Sequence, residues 1–292
     1  MSLAAQWLLG ALVALALIYI WRWYAFARQA APSGQRVLPG AQQTLLGFVT
    51  NFFDTLGVGS FAPTTSVFKL FRLVPDENIP GTLNAGHALP TVAQALIFIA
   101  AVGIDATTLV TMIAAAMAGA WLGAGAVSRL PRRAIQVGMG VALLVAAGLF
   151  IATNLSLIPG GGDALGLSGT LLGVAIAINF VLGALMTLGV GLYAPCLILV
   201  SLLGMNPIAA FPVMMGSCAF LMPVAGLRFI ARQRYDLRAA LGLAAGGIPG
   251  VLVAAFIVKK LPVEWLRWLV AIVVLYAAIT MLRAARSKPT SG

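Results

Sequence analysis

Apolar and polar residues alternate along the chain in blocks of whole segments rather than from one residue to the next. Apolar segments, many of them about 20 residues long, are separated by short polar loops. A helix of about 20 apolar residues crosses the roughly 30 Å hydrocarbon core of a bilayer, so the pattern predicts transmembrane helices. A membrane β-barrel would show short alternating strands instead. The predicted segments are 3–21, 44–56, 61–72, 84–102, 106–127, 134–153, 168–188, 193–204, 208–227, 238–258 and 265–283.

Composition supports an all-α polytopic membrane protein. The 292 residues are 61% apolar and 9% charged, and the mean hydropathy is +1.03, values that a water-soluble domain of this length does not show. The net charge of +11 comes from Lys and Arg in short loops, which indicates positive-inside topology signals rather than nucleic-acid binding. Cys196 and Cys218 lie in apolar segments and form no zinc-site spacing. We therefore expect a bilayer as partner, with no cofactor, metal or nucleic acid.

One stretch of sequence occurs twice. Residues 55–63, Thr-Leu-Gly-Val-Gly-Ser-Phe-Ala-Pro, match residues 187–195, Thr-Leu-Gly-Val-Gly-Leu-Tyr-Ala-Pro, at seven of nine positions and an offset of 132. The same offset pairs Pro75 with Pro207 and Pro80 with Pro212. We interpret the chain as two repeats. The predicted division is an extra N-terminal span with a cytoplasmic linker (1–40), a first repeat (41–153), a linker loop (154–167), a second repeat (168–286) and a tail (287–292).

Charge counting separates two topologies. If segments 44–72 and 168–204 each turn back inside the bilayer as hairpins, 15 basic residues lie inside and 3 outside. If both segments cross fully, the split is 10 to 8. The positive-inside bias favours the hairpins. Each repeat then has three spans and one hairpin, so the second repeat is inverted and the hairpins enter from opposite faces. Full crossing remains an alternative because 168–188 is long enough to span.

The duplicated glycines predict a break in each hairpin. Gly57 and Gly59 supply the dihedral freedom that a reversal needs, Pro63 suits the first turn of the next helix, and Ser60 is a candidate N-cap. Each half-helix would point its positive N-terminus toward the mid-membrane, and two such ends would bind an anion. The alternative is that the glycines only allow close helix packing. The candidate substrate-binding residues are Gly57, Val58, Gly59, Ser60, Thr64, Asn84, Gly189, Val190, Gly191 and Tyr193.

Asp54 and His87 are the candidate ion-coupling residues. Asp54 alone among the seven acidic residues lies inside an apolar segment, where a carboxylate is costly and usually functional. It either carries a proton or cation, or caps the backbone N–H groups of the adjacent turn. His87, the single histidine, either relays protons or serves as a buried structural hydrogen bonder. Other acidic residues have ordinary explanations, with Asp105 and Asp236 at helix N-cap positions.

The residues resemble the sulfite exporter TauE/SafE family of membrane permeases. The resemblance rests on Asp54-Thr-Leu-Gly57-Val-Gly59, its copy at residues 189–195, Pro80-Gly-Thr-Leu-Asn84, and the Leu-Pro turns at residues 130–131 and 261–262. It covers about residues 41–286. The chain departs from the family pattern in two places. The usual run of three or four glycines is reduced to Gly-Val-Gly. In addition, His87 follows Asn84, where many members carry a basic residue next to the asparagine.

The resemblance implies secondary transport of small sulfur-containing anions, such as sulfite or organosulfonates, across a bacterial inner membrane. Export coupled to a proton or sodium gradient is the expected mode, with Asp54, Gly57, Gly59 and Asn84 matching the family's positions. A passive anion channel is the alternative. An enzyme is disfavoured because the sequence has one histidine and lacks His-Glu-x-x-His and Gly-x-Ser-x-Gly motifs. The oligomeric state stays open, with a homodimer as one alternative.

Overall fold

A computed structural model describes residues 3–30, 38–57, 59–127, 162–186, 192–258 and 263–286, with scattered positions between 133 and 157. Within these residues the regular structure is helical, apart from one isolated bridge between Ala164 and Met205. A 3₁₀ turn, Asp76–Asn78, directly precedes the helix that begins at Ile79. The helices are α1 (Leu3–Ala30), α2 (Ala41–Thr55), α3 (Phe61–Leu70), α4 (Ile79–Ala101), α5 (Ala106–Val127), α6 (Gly169–Met186), α7 (Tyr193–Leu202), α8 (Pro207–Ala231), α9 (Leu237–Val258) and α10 (Val263–Arg286). The described positions from 133 to 152 are also helical.

Helix lengths sort the elements into spans and half-spans. Among the residues that the structure describes, five helices are long and apolar enough to cross a membrane: α1, α4, α6, α8 and α9. In contrast, α3 and α7 have ten residues each, or roughly 15 Å at 1.5 Å per residue, which is about half the hydrocarbon thickness. The predicted all-α polytopic class is therefore confirmed, and each short helix stands where the sequence predicts a half-helix.

Loop contacts define the two ends of the bundle. At one end, which we call the arginine end, Arg234 Nη1 lies 3.8 Å from Glu77 Oε2, and the backbone N–H of Asp236 donates to Thr82 Oγ1 at 2.9 Å. These contacts bring the α3–α4 loop to the α8–α9 loop. At the opposite end, segment 162–168 meets the start of α5 and the α7–α8 turn through backbone bonds from Asp105 to Leu165 and from Asn206 to Ala164.

The two broken segments have their termini at opposite ends of this bundle. Helix α2 begins at the arginine end and runs beside α4 in the same direction, since Asn51 contacts His87 and Asp54 contacts Gln94. Helix α3 then returns to the arginine end, with Thr64 reaching back to His87. The second segment begins at 162–168 and its short helix α7 ends at Leu202, so both of its termini lie at the opposite end.

Helix packing is shared between the halves in a reciprocal way. The most extensive contacts pair α2 with α9 and α5 with α6, while α4 packs against α8. At the first interface a Cβ on Gly250 would collide with the Phe48 carbonyl, and at the second a Cβ on Gly119 would collide with the Phe180 carbonyl. Phe48 and Phe180 are 132 residues apart, and Gly119 and Gly250 are 131 apart. Small residues thus allow the same close approach twice. The orientation of the repeats across a bilayer stays a prediction.

Candidate functional site

The first helix break is built by glycines in the left-handed region. Helix α2 ends at Thr55 and α3 begins at Phe61. Between them Gly57 has φ +98° and Gly59 has φ +85°, values that residues with a Cβ rarely adopt. Ser60 immediately precedes α3, the predicted N-cap position. Val58 lies outside the described residues, as do Gly189, Val190 and Gly191 of the second break.

The Asp54 carboxylate is buried at the start of α3. Its Oδ1 accepts the backbone N–H of Ser60 at 2.5 Å, and its Oδ2 accepts the side-chain amide of Gln94 at 2.8 Å. A negative charge is favourable at a helix N-terminus, where N–H groups and the helix dipole are positive. Asp54 therefore caps the break and offsets the positive end of α3. The contacts are also compatible with a carboxylate that takes up a proton.

Gln94 joins the two halves at this point. Its Nε2 donates to Asp54 and to Thr55 Oγ1, the latter at 2.9 Å, and its Oε1 accepts the Tyr193 hydroxyl at 2.6 Å. These hydrogen bonds connect α2 to α7 through α4, so Tyr193, the first residue of α7, is linked to Asp54 through Gln94 alone. We did not predict Gln94 from the sequence. The signal was present, because His87, Thr91 and Gln94 follow one another at i, i+4 and i+7 on one face of α4.

A cavity of about 30 Å³ lies between the two half-helices. Asp54, Gly59, Ser60 and Phe61 line it from the first break, and Leu192 and Tyr193 line it from the second. Thr91 and the sulfur-bearing side chains of Met186, Cys218 and Met222 complete the wall. The N-termini of α3 and α7 therefore face the same small space. Leu192, which precedes α7, makes no side-chain cap, as the sequence predicts. Among the described residues that line the cavity, Asp54 at α3 is the single carboxylate.

His87 lies beside this cavity rather than in its wall. Its Nδ1 is 3.0 Å from the Asn51 amide nitrogen and 3.1 Å from the amide oxygen, and its Nε2 is 3.1 Å from Thr64 Oγ1. The ring is fully buried and 6.0 Å from the centre of the Phe61 ring. Both ring nitrogens are thus satisfied by uncharged partners. This environment suits a structural hydrogen bonder, one of the two interpretations of His87.

The structure brings together only part of the candidate set. Asp54, Gly59, Ser60 and Tyr193 line the cavity, while Gly57 is buried in the turn between α2 and α3. Asn84 lies elsewhere: its amide donates to the carbonyl of Pro80 in its own helix, and its side chain lines a separate pocket with Arg228. Among the described residues no group of three His, Cys, Asp or Glu side chains could hold a metal ion.

Two broken segments that open at opposite ends and meet at one buried cavity are typical of membrane permeases built from repeats. The family model "Sulfite exporter TauE/SafE" matches residues 1–150 and 171–292. The chain belongs to the TauE/SafE sulfite exporter family, a family of membrane transporters of sulfite-type anions rather than enzymes. The match begins at residue 1, so it also includes the first span, which we placed outside the resemblance. Comparison with curated proteins and with solved structures gave no significant match.

Proposed function

We propose that this protein is a secondary transporter that exports sulfite or a small organosulfonate across a bacterial inner membrane, with the anion bound in the cavity between α3 and α7. The observation that carries the proposal is that two half-helix N-termini line one buried cavity, whose described lining residues include a single carboxylate, Asp54, at the first of them. The first-turn N–H groups of α7 are the natural partners for a second anion. No buried Lys or Arg is needed for such a site.

The closed state of the cavity supports a transporter over an open channel. Its volume is about 30 Å³, and its lining residues Asp54, Ser60 and Tyr193 are all buried. A small oxyanion needs the walls to part before it can enter or leave. The two hairpins open at opposite ends of the bundle, so movement of each hairpin would expose the cavity at a different end. That is the geometric requirement of alternating access.

Electrostatics suggests how a proton is coupled to the anion. In a poorly hydrated cavity two negative charges repel each other strongly, because the low dielectric does little to screen them. An anion beside Asp54 is therefore bound better after the carboxylate has taken up a proton. Proton and anion then travel together, so the protein exports the anion when the outward gradient of the anion exceeds the inward gradient of the proton. Sodium at the same carboxylate is the alternative coupling ion.

The test is flux of labelled sulfite and a panel of sulfonates in proteoliposomes, with imposed proton or sodium gradients. A sulfonate is the sharper probe, because its charge does not change near neutral pH. We expect concentrative uptake driven by a proton gradient, and Asp54→Asn to abolish the driving effect while the protein stays folded. Asp105→Asn is the matched control, since Asp105 caps α5 outside the cavity and Asn is an equally good N-cap.

Each other outcome contradicts a stated part of the proposal. Concentrative uptake that follows sodium and ignores pH would replace the proton with sodium. Downhill flux that neither gradient can drive uphill would indicate a passive anion channel. Full proton coupling in Asp54→Asn would remove Asp54 from the mechanism, and no flux of any sulfur anion would refute the substrate class.

A further inference from the structure

A second, larger pocket lies at the arginine end of the bundle. Its volume is about 270 Å³, and it lies between α4, α5 and the last turns of α8. It shares no lining residue with the cavity at Asp54. Most of its wall is apolar, formed by residues such as Met117, Phe220, Leu221 and Val224. Its polar groups are Asn84, Arg228 and Arg232.

The pocket's basic groups lie together at one end of its wall. Arg228 and Arg232 are one helical turn apart at the C-terminal end of α8, and both are exposed. The Arg228 guanidinium lies 5.4 Å from the centre of the Trp121 ring, over its face. This cation–π contact holds one positive group at the rim of an apolar pocket. Asp236 and Glu77 lie at the same end of the bundle, but neither lines the pocket.

One side of the apolar wall reaches the outer surface. Trp121 is 70% exposed, and Met117 and Val224 are 38% and 37% exposed, whereas Phe220 and Leu221 are buried. In a membrane protein large apolar side chains on the outer surface contact lipid, and tryptophan is enriched at the level of the headgroups. The pocket thus opens sideways at the boundary between hydrocarbon and headgroups, with its arginines on the headgroup side.

We propose that this pocket binds an anionic phospholipid from the leaflet at the arginine end. An acyl chain would lie along Met117, Leu221 and Val224, and the phosphate would contact the guanidinium groups, which bind phosphate through paired N–H donors. Basic pockets between transmembrane helices are suited to anionic headgroups for this reason. A small oxyanion alone would leave most of the pocket's volume and its apolar wall unfilled. The two arginines favour an anionic headgroup over a neutral one.

Trp121 provides a direct probe, since a brominated acyl chain in the pocket would quench its fluorescence. The purified protein is placed in phosphatidylcholine nanodiscs with increasing fractions of brominated phosphatidylglycerol or brominated phosphatidylcholine. The Trp121 signal is the difference between the natural chain and Trp121→Phe. We expect half-maximal quenching at a several-fold lower fraction of the anionic lipid. Arg228→Gln/Arg232→Gln should abolish that preference, and Arg232→Gln alone should reduce it.

Arg283→Gln/Arg286→Gln is the matched control, because these arginines are also exposed in the last turns of a helix but lie outside the pocket. The preference should survive in this variant. Equal quenching by the two lipids, or a preference that persists without Arg228 and Arg232, would overturn the proposal. In nanodiscs without brominated lipid, a saturable change of Trp121 emission on adding sulfite or inorganic phosphate, lost in the double variant, would instead assign the pocket to a soluble anion.

Discussion

The hydroxyl of Tyr193 donates a 2.6 Å hydrogen bond to Oε1 of Gln94, which joins the first turn of α7 to the middle of α4. The two residues are 99 positions apart and belong to different predicted repeats. Through its amide nitrogen, Gln94 also holds Asp54. The bond therefore links the second half-helix to the carboxylate that caps the first, across the cavity proposed to bind the substrate.

Tyr193→Phe should destabilise the protein and slow flux. The substitution leaves Gln94 Oε1 buried without its donor, which costs about 1–3 kcal/mol. Thermal unfolding of the purified protein followed by circular dichroism measures the first effect, and proteoliposome flux measures the second. Tyr276→Phe is the control, because Tyr276 is partly exposed on α10. Equal melting temperatures for the two variants would show that the Tyr193–Gln94 bond is energetically neutral.

His87→Gln should lower stability but keep proton-driven flux. Both nitrogens of His87 are engaged by Asn51 and Thr64, so replacement weakens or breaks a buried pair of hydrogen bonds, at a cost of roughly 1–3 kcal/mol. Glutamine keeps a donor and an acceptor yet does not carry a proton. The measurement is flux at several imposed pH gradients, together with melting temperature. A well-folded His87→Gln protein that has lost its response to the pH gradient would support the proton relay instead.

Gly119→Ala and Gly250→Ala should each be destabilising, although alanine is the better helix former. In both cases the added Cβ collides with a backbone carbonyl of the partner helix, so the helices must separate. Overpacking of this kind costs about 1–3 kcal/mol. Gly173→Ala is the control, since a Cβ there meets open space and gains about 1 kcal/mol of helix propensity. The same sign of change in all three variants would contradict the reciprocal close packing.

Cysteines introduced at Glu77 and Leu165 should be labelled from opposite sides of the membrane. Both side chains are exposed, the first at the arginine end and the second at the opposite end. The positive-inside bias predicts that a membrane-impermeant maleimide reaches position 77 from the cytoplasm and position 165 from outside. The natural chain is the control, because Cys196 and Cys218 are buried. Labelling of position 77 from outside would reject the hairpin topology.

Local features of the fold were readable from the sequence because they depend on neighbouring residues. Asp105 and Asp236 cap α5 and α9 as predicted, each accepting a backbone N–H at 2.7 Å. The start of α4 was placed too late, at residue 84 instead of Ile79. Its first turns contain Thr82 and Asn84, whose polarity is typical of a loop. Inside the helix these side chains donate to the carbonyls of Asn78 and Pro80, so their polarity is no obstacle.

The candidate site was only partly predictable. Asp54 stood out because a single carboxylate inside an apolar segment needs a partner. Gln94 did not, because its spacing from His87 and Thr91 indicates a shared helix face but does not show which groups of other helices that face contacts. Asn84 was chosen from its resemblance to a family motif, yet it lies in the first turns of α4, closer to the arginine end than His87 and Gln94, and lines another pocket.

The sequence by itself determined that this chain is a helical membrane protein and predicted a duplicated break, because segment length, apolar content and glycine flexibility are properties of short stretches. Only the tertiary structure decided which polar groups meet at the cavity. Gln94 reaches Asp54 over 40 positions and Tyr193 over 99. Such contacts depend on how α2, α4 and α7 pack against one another, and that packing is set by close approach of small residues on distant helices.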